Sequence, residues 1–171
     1  KGTTTMSSTN TDVLRNAGTA LFYGATSLTT TNFGRGILNG GGTLTFKDNL
    51  TIATNLNDAI TQTGGVLTSE QSSTLSTKGI EAYALHASGA STVANFNQLA
   101  ATTLGANGAG VLADGGAIVN IADANSSITT VGSGAAGVYA LNSGSIGMGA
   151  PAPNSGGGSV FLAGGTITTS G

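Results

Sequence analysis

One short pattern of apolar and polar positions recurs along the chain: any residue, then Leu or Ile, then any residue, then Thr. The pattern occurs at 27–30, 51–54, 74–77, 127–130 and 166–169, with a weaker copy at 100–103. Its central residues are 24, 23, 26, 27 and 39 positions apart. Four nearly equal intervals predict a repeating structural unit, and one long interval predicts an insertion in it.

Two further apolar runs with alternating polarity complete each unit. A shift of 27 residues superimposes 110–113 on 137–140, and Val119 and Ile121 on Ile146 and Met148. Polar or glycine-rich turns separate these runs, for example at 114–116. Alternation with a period of two is typical of half-buried strands, so each unit is predicted to hold about three short strands.

Stacking is the only way for such a unit to bury its apolar side, because one unit has too few inward side chains to offset the entropy of ordering it. Stacked strands lie about 4.8 Å apart and pair along the whole axis. The pattern therefore predicts an all-β parallel β-helix (β-solenoid) of about six coils of 23–27 residues, the last incomplete. Apolar residues are expected inside, Gly and Asn at corners, and Thr outside. We expect one inward column of Leu28, Ile52, Leu75, Ala101, Ile128 and Ile167.

Two regions depart from the repeat. Residues 1–20 are predicted to form a polar N-terminal segment or cap, followed by the β-helix at 21–171. The surplus of the long interval contains both prolines of the chain, and proline cannot donate to a strand ladder, so this surplus is predicted to be an outward loop. Loops of solenoids often bind partners, although a surface excursion without a role is the alternative. The candidate binding loop consists of Gly149, Ala150, Pro151, Ala152, Pro153, Asn154 and Ser155.

Composition excludes several classes of protein. Charged residues make up 7% of the chain, the net charge is -2, and five basic residues are too few to neutralise a row of phosphates. We therefore expect no nucleic-acid partner. No apolar stretch approaches the roughly 18 residues of a membrane helix, so membrane insertion is not expected. The absence of cysteine excludes disulfides and thiolate metal sites.

Candidate catalytic chemistry is sparse. Polysaccharide-cleaving β-helices need clustered carboxylates on one face, and the repeat brings no two acids to equivalent positions on neighbouring coils, except Glu81 near Asp114. His86, the only histidine, is expected to be a solvent-facing turn residue. We predict no catalytic residue, no metal site and no cofactor, and hence a protein that is not an enzyme. The seven acids are Asp12, Asp48, Asp58, Glu70, Glu81, Asp114 and Asp123.

The repeats are similar in sequence to those of a known group of proteins. GAGVLADGGA at 108–117, SITT at 127–130 and AGVYAL at 136–141 resemble the passenger domains of bacterial autotransporters, which include pertactin and the self-associating adhesins. The resemblance covers about 28–171. It implies a right-handed β-helix that is exported across the Gram-negative outer membrane by a C-terminal β-barrel, and a chain that is part of a longer passenger. The Gly-Asp-Ser-Gly motif of the protease branch does not occur.

These observations lead to one expected function and two alternatives. We expect a bacterial protein, displayed on the cell surface or secreted, that acts as an adhesin or virulence factor. Its expected partner is a host-cell surface protein, matrix or glycan, or another copy of itself on a sister cell. The first alternative is a structural stalk that presents another domain. The second is a carbohydrate-active β-helix enzyme, which the scattered acids disfavour.

Overall fold

The architecture is a stack of parallel strands. A computed structural model describes residues 2–149 and 159–171, and all regular secondary structure in them is β-strand, joined in one 16-stranded sheet. Within those two ranges, no helix is long and apolar enough to cross a membrane. The strands are β1 (Thr4–Ser8), β2 (Leu14–Asn16), β3 (Thr19–Phe22), β4 (Thr26–Thr30), β5 (Ile37–Phe46), β6 (Leu50–Ala53), β7 (Ile60–Thr77), β8 (Leu85–Ser88), β9 (Thr92–Thr103), β10 (Ala109–Asp114), β11 (Ile118–Ile121), β12 (Ser127–Thr130), β13 (Ala136–Ala140), β14 (Ser145–Met148), β15 (Ser159–Leu162) and β16 (Thr166–Thr169).

The pairings arrange these strands on three faces, and we call one layer of neighbouring strands a rung. Face 1 contains β1, β4, β6, the end of β7, the end of β9, β12 and β16. Face 2 contains β2, the start of β5, the start of β7, β8, β10 and β13. Face 3 contains β3, later parts of β5 and β7, the start of β9, β11, β14 and β15. The predicted β-helix of about six coils is confirmed.

The predicted inward column is also confirmed. Leu28 pairs with Ile52, and the column continues through Leu75, Ala101 and Ile128 to Ile167. All members except the last are buried, and Ile167 packs against the core from a partly buried position. The weak copy at 100–103 takes its place in register between β7 and β12, so a shortened side chain, Ala101, replaces Leu or Ile without a shift in pairing.

Threonine departs from the expectation that it faces outward. The last residue of the recurring pattern points inward in the copies from 27–30 to 127–130, because it lies two positions after the buried Leu, Ile or Ala of the same strand. Thr169, at the end of the last copy, is exposed. Two of the buried hydroxyls bond to the corner after Thr54: Thr54 Oγ1 and, from the next rung, Thr77 Oγ1 both donate to the Asn57 carbonyl, at 2.6 and 2.8 Å. The expectation therefore holds only for alternate positions. The buried threonines of this column are Thr30, Thr54, Thr77, Thr103 and Thr130.

Small residues on face 2 make room for the isoleucines of face 1. A Cβ added to Gly110 would lie 2.1 Å from Cγ2 of Ile128, and one added to Gly137 would lie 2.2 Å from Cγ2 of Ile167. In the register of face 2, Ala59 and Ala84 occupy the positions equivalent to these glycines. The corresponding face 1 residues there are Leu75 and Ala101, which lack a Cγ2 methyl. On each of these rungs, the size of the face 2 residue is thus matched to the shape of the face 1 side chain that packs against it.

The long interval contains an additional strand. β15 pairs in parallel with β14, with Ile146 opposite Val160, so two successive strands of the chain lie side by side on face 3. Gly149 ends the first of them with φ of +77°, a left-handed conformation that favours glycine, and its N–H donates to the Ile121 carbonyl at 2.7 Å. The rest of the candidate binding loop, 150–155, lies outside the described residues.

The N-terminal stretch takes part in the ladder. β1 pairs with β4, and β2 and β3 pair with β5, so these three strands build the first rung of the solenoid.

Candidate functional site

The inside of the coils is occupied by a continuous cluster of buried apolar side chains that runs from Leu28 to Met148. Any site for a ligand must therefore be sought on the outside. A groove of about 860 Å³ lies there, at the corner that leads from face 1 into face 2. Its volume is in the usual range for ligand-binding sites, about 300–1,000 Å³. The lining residues are Asn10, Thr11, Asp12, Arg15, Phe33, Gly34, Arg35, Asn57, Asp58, Thr61 and His86.

The ladder register brings these residues together from four rungs. Leu14 pairs with Ile37 and Ile37 with Ile60, so the residues two positions earlier, Asp12, Arg35 and Asp58, are neighbours at the corner. Successive residues of a strand point alternately into and out of the solenoid, so the side chains that follow Leu14, Ile37 and Ile60 point outward. The resulting outward column of face 2 runs through Arg15, Leu38, Thr61 and His86.

Asp12 holds two arginines at one end of the groove. Its Oδ1 accepts from the backbone N–H and Nε of Arg35, at 3.0 and 2.9 Å, and its Oδ2 accepts from Arg15 Nε and Arg35 Nη2, at 2.8 and 3.1 Å. Burial alone raises the pKa of this carboxyl. The hydrogen bonds from the Arg35 side chain and backbone and from Arg15 outweigh burial, and lower the pKa from 3.8 to about 2.

Asp58 organises the other end. Its Oδ1 accepts from the Tyr83 N–H and its Oδ2 accepts from Thr61 Oγ1, each at 2.8 Å. His86 Nδ1 lies 3.8 Å from the same Oδ2, within ion-pair distance when the ring is protonated, and the ring meets Tyr83 edge-on with centroids 5.2 Å apart. Burial, followed by the negative charges of Asp58 and Glu81, raises the pKa of Tyr83.

The expectation for His86 is wrong about the turn, because the residue lies on β8. Its side chain faces outward as expected, but the neighbours in the groove leave it only 27% exposed. The register places it beside Thr61 of the preceding rung, which in turn bonds to Asp58. A histidine that is 28 residues from Asp58 in the sequence thus acquires this carboxylate neighbour through stacking.

The expected proximity of Glu81 and Asp114 is also wrong. Asp114 pairs with Ser88, and its carboxylate accepts from Asn142 Nδ2 at 2.8 Å. Glu81 lies at the preceding corner, where its N–H donates to the Ala106 carbonyl. Across the two described ranges, no group of three or more His, Asp or Glu side chains could hold a metal ion.

The groove itself was not predicted from the sequence, although the spacing of its charged residues indicates it. Asp12, Arg35 and Asp58 are separated by exact intervals of 23 residues, the spacing of one early coil. The pattern is an alternation of acid, base and acid, which a search for acids on neighbouring coils does not detect. Guanidinium donors, amides and an exposed aromatic ring are groups that recognise a ligand, so the arrangement is suited to binding.

No protein-family model, curated protein or solved structure matches this chain.

The lowered pKa of Asp12 predicts a specific acid sensitivity. Because the pKa is about 2 in the folded chain and about 3.9 in an unfolded one, this group stabilises the fold above pH 4. Because solvent around the exposed arginines weakens the ion pairs of Asp12, this contribution to the free energy of unfolding is about 1–2 kcal/mol. It is lost as the pH falls from 4 towards 2. In urea titrations, Asp12→Asn should flatten this part of the stability curve. A slope in Asp12→Asn as steep as in the unchanged chain would contradict this assignment.

Proposed function

We propose that this chain is the ligand-binding part of an exported bacterial β-solenoid that acts as an adhesin, attaching the bacterium to host cells, matrix or sister cells. Its resemblance to autotransporter passenger domains supports a location on the cell surface or in the medium. The β-solenoid fold is compatible with this function, since a long stack of coils offers extended lateral surfaces to large partners.

One observation supports binding most strongly: the groove is built from side chains that the stack does not need for its core. Arg15 is 71% exposed and Phe33 is 55% exposed, and both border the same groove from different rungs. Large apolar and cationic side chains of this kind are enriched where proteins bind partners. A plain stalk would need only the ladders and polar outer positions.

Adhesion of protein-coated beads tests the proposal. Beads that display the chain should attach to cultured epithelial cells or to bacteria that display it, and Arg15→Ala with Phe33→Ala should reduce the attachment several-fold. The matched control is Lys78→Ala with Leu104→Ala, which removes an exposed cation and an exposed apolar side chain outside the groove.

Two outcomes would count against adhesion through the groove. Coated beads that attach no better than uncoated beads would leave the stalk as the better account. Equal loss in the groove variant and its control would mean that attachment does not depend on the groove.

A further inference from the structure

The carboxylates of the groove have their oxygens occupied by donors from the chain itself. Both oxygens of Asp12 accept from arginine or backbone N–H groups, and both oxygens of Asp58 accept from Tyr83 or Thr61. A ligand that offers mainly donors, such as an ammonium group, would have to displace bonds at Asp12, which accepts four, and would find Asp58 with two of its acceptor positions taken. The carboxylate beside the arginines is therefore already used.

Donors are in surplus at the same place. A guanidinium has five N–H donors, and Asp12 receives one from Arg15 and two from Arg35. Two cations therefore share one carboxylate at this end of the groove, and the second carboxylate of the lining, Asp58, lies at the other end. The surplus is one of guanidinium donors rather than of net charge, because the two arginines and two aspartates of the lining balance. The most exposed of these groups is Arg15, whose side chain extends from the outward column of face 2. An acceptor-rich anion is the complementary ligand.

The walls beside the arginines point to a ring-shaped ligand with hydroxyl groups. Phe33 presents more than half of its surface at the corner, and Asn10 and Asn57 border the same groove. Asn10 Oδ1 accepts from Asn32 Nδ2 at 2.9 Å, which fixes the amide so that its NH₂ remains a donor. Aromatic rings pack on the C–H face of a pyranose, and amides and Thr61 bond to hydroxyls. This combination is that of a saccharide site rather than of a bare anion site.

We propose that the groove binds an anionic saccharide through a ring carboxylate, as found in sialic and uronic acids, with Arg15 as its main contact and Phe33 as the platform for the sugar ring. The proposal rests on the proposed adhesive function and names the chemistry of its ligand. The carboxylate and a guanidinium would form a bidentate, charge-assisted pair, which supplies both orientation and affinity. Neutral sugars would retain only the stacking and the hydroxyl contacts.

Isothermal titration of the whole chain with sialyllactose, a galacturonate trisaccharide and lactose tests this directly. We expect measurable binding of at least one acidic sugar and binding of lactose that is about tenfold weaker or undetectable. Arg15→Ala should weaken binding of the acidic sugar about tenfold, Arg15→Lys should weaken it less, and Phe33→Ala should weaken binding of every sugar. The two acidic probes distinguish a sialate from a uronate as the source of the carboxylate.

The control is Lys47→Ala, which removes one exposed cation and its ion pair with Glu70, outside the groove. It changes the net charge as Arg15→Ala does, so a purely long-range electrostatic effect would weaken binding equally in both. Arg35 is left intact, because its three bonds to Asp12 contribute to the corner itself. Unchanged melting temperatures of the Arg15 and Phe33 variants would show that the fold is retained.

Three results would overturn the saccharide site: binding of lactose as tight as that of both acidic sugars, equal loss in Arg15→Ala and Lys47→Ala, or no binding of either acidic sugar at millimolar concentration. If beads still attach to cells through the groove in that last case, adhesion stands and the ligand belongs to another class, such as a protein. If attachment also fails, both proposals fall.

Discussion

Replacing Ile128 by Asp is expected to destabilise the chain by about 4 kcal/mol or more, a large part of the roughly 5–15 kcal/mol that stabilises an ordinary domain. Ile128 is fully buried in the face 1 column, between Ala101 on one rung and Ile167 on the next. A carboxylate there would lose its hydration without gaining a partner, and the isoleucine contacts would be lost as well. Urea unfolding followed by circular dichroism measures the change.

The matched control is Thr129→Asp, one position along the same strand. Successive residues of a strand point to opposite faces, and Thr129 lies on the outer side of β12. Its carboxylate would remain hydrated, so we expect a change within about 0.5 kcal/mol. Comparable losses in both variants would mean that the strand does not alternate as the ladder requires.

Gly110→Ala is expected to cost about 1–3 kcal/mol, although it adds a single methyl group. An added Cβ would lie 2.1 Å from Cγ2 of Ile128 and 2.7 Å from the carbonyl oxygen of Gly137. The second neighbour is backbone of the adjacent rung, so the clash cannot be relieved by a rotamer change alone. The midpoint of thermal or urea unfolding measures the loss.

Gly40→Ala is the control for this substitution. The nearest atom to an added Cβ at that position, the carbonyl oxygen of Asn16, is 3.8 Å away, an ordinary contact. Restricting the unfolded chain should make this variant neutral or slightly more stable. If Gly110→Ala were as harmless as Gly40→Ala, the close approach of faces 1 and 2 would be contradicted.

The face 1 column could be predicted from the sequence because its strands keep a strict period of two. Burial of Leu28 fixes which neighbours point inward, and a slip of one residue would expose every apolar side chain of the strand. Even Ala101, whose pattern is weak, lies in register because its neighbours on both rungs impose the pairing. The same alternation places the last threonine of the pattern inside, whereas the high β-propensity of threonine does not distinguish the inner face from the outer one.

The groove could not be predicted as easily, because it depends on corners rather than strands. A uniform interval of 23 residues aligns Asp12, Arg35 and Asp58, but the corner after Thr77 is longer than the corner after Ser8, so this interval does not place His86 beside them. Side-chain pairs such as Asp58 and His86 follow from the actual lengths of the connections. The additional strand β15 follows the surplus and was not predicted, because no other unit in the described part of the chain has a second strand on face 3.

Every functional proposal for this protein depends on four separate segments meeting at one outer groove. A spin label at Phe33→Cys tests this most directly, because the chain has no other cysteine and the position is exposed. In an assigned amide NMR spectrum, the label should broaden the signals of 10–12, 57–58 and 82–84, because successive rungs are about 4.8 Å apart. The signals of 145–148, on face 3, should stay sharp. Broadening confined to residues next to 33 in the sequence would contradict the stacking register, and with it the groove.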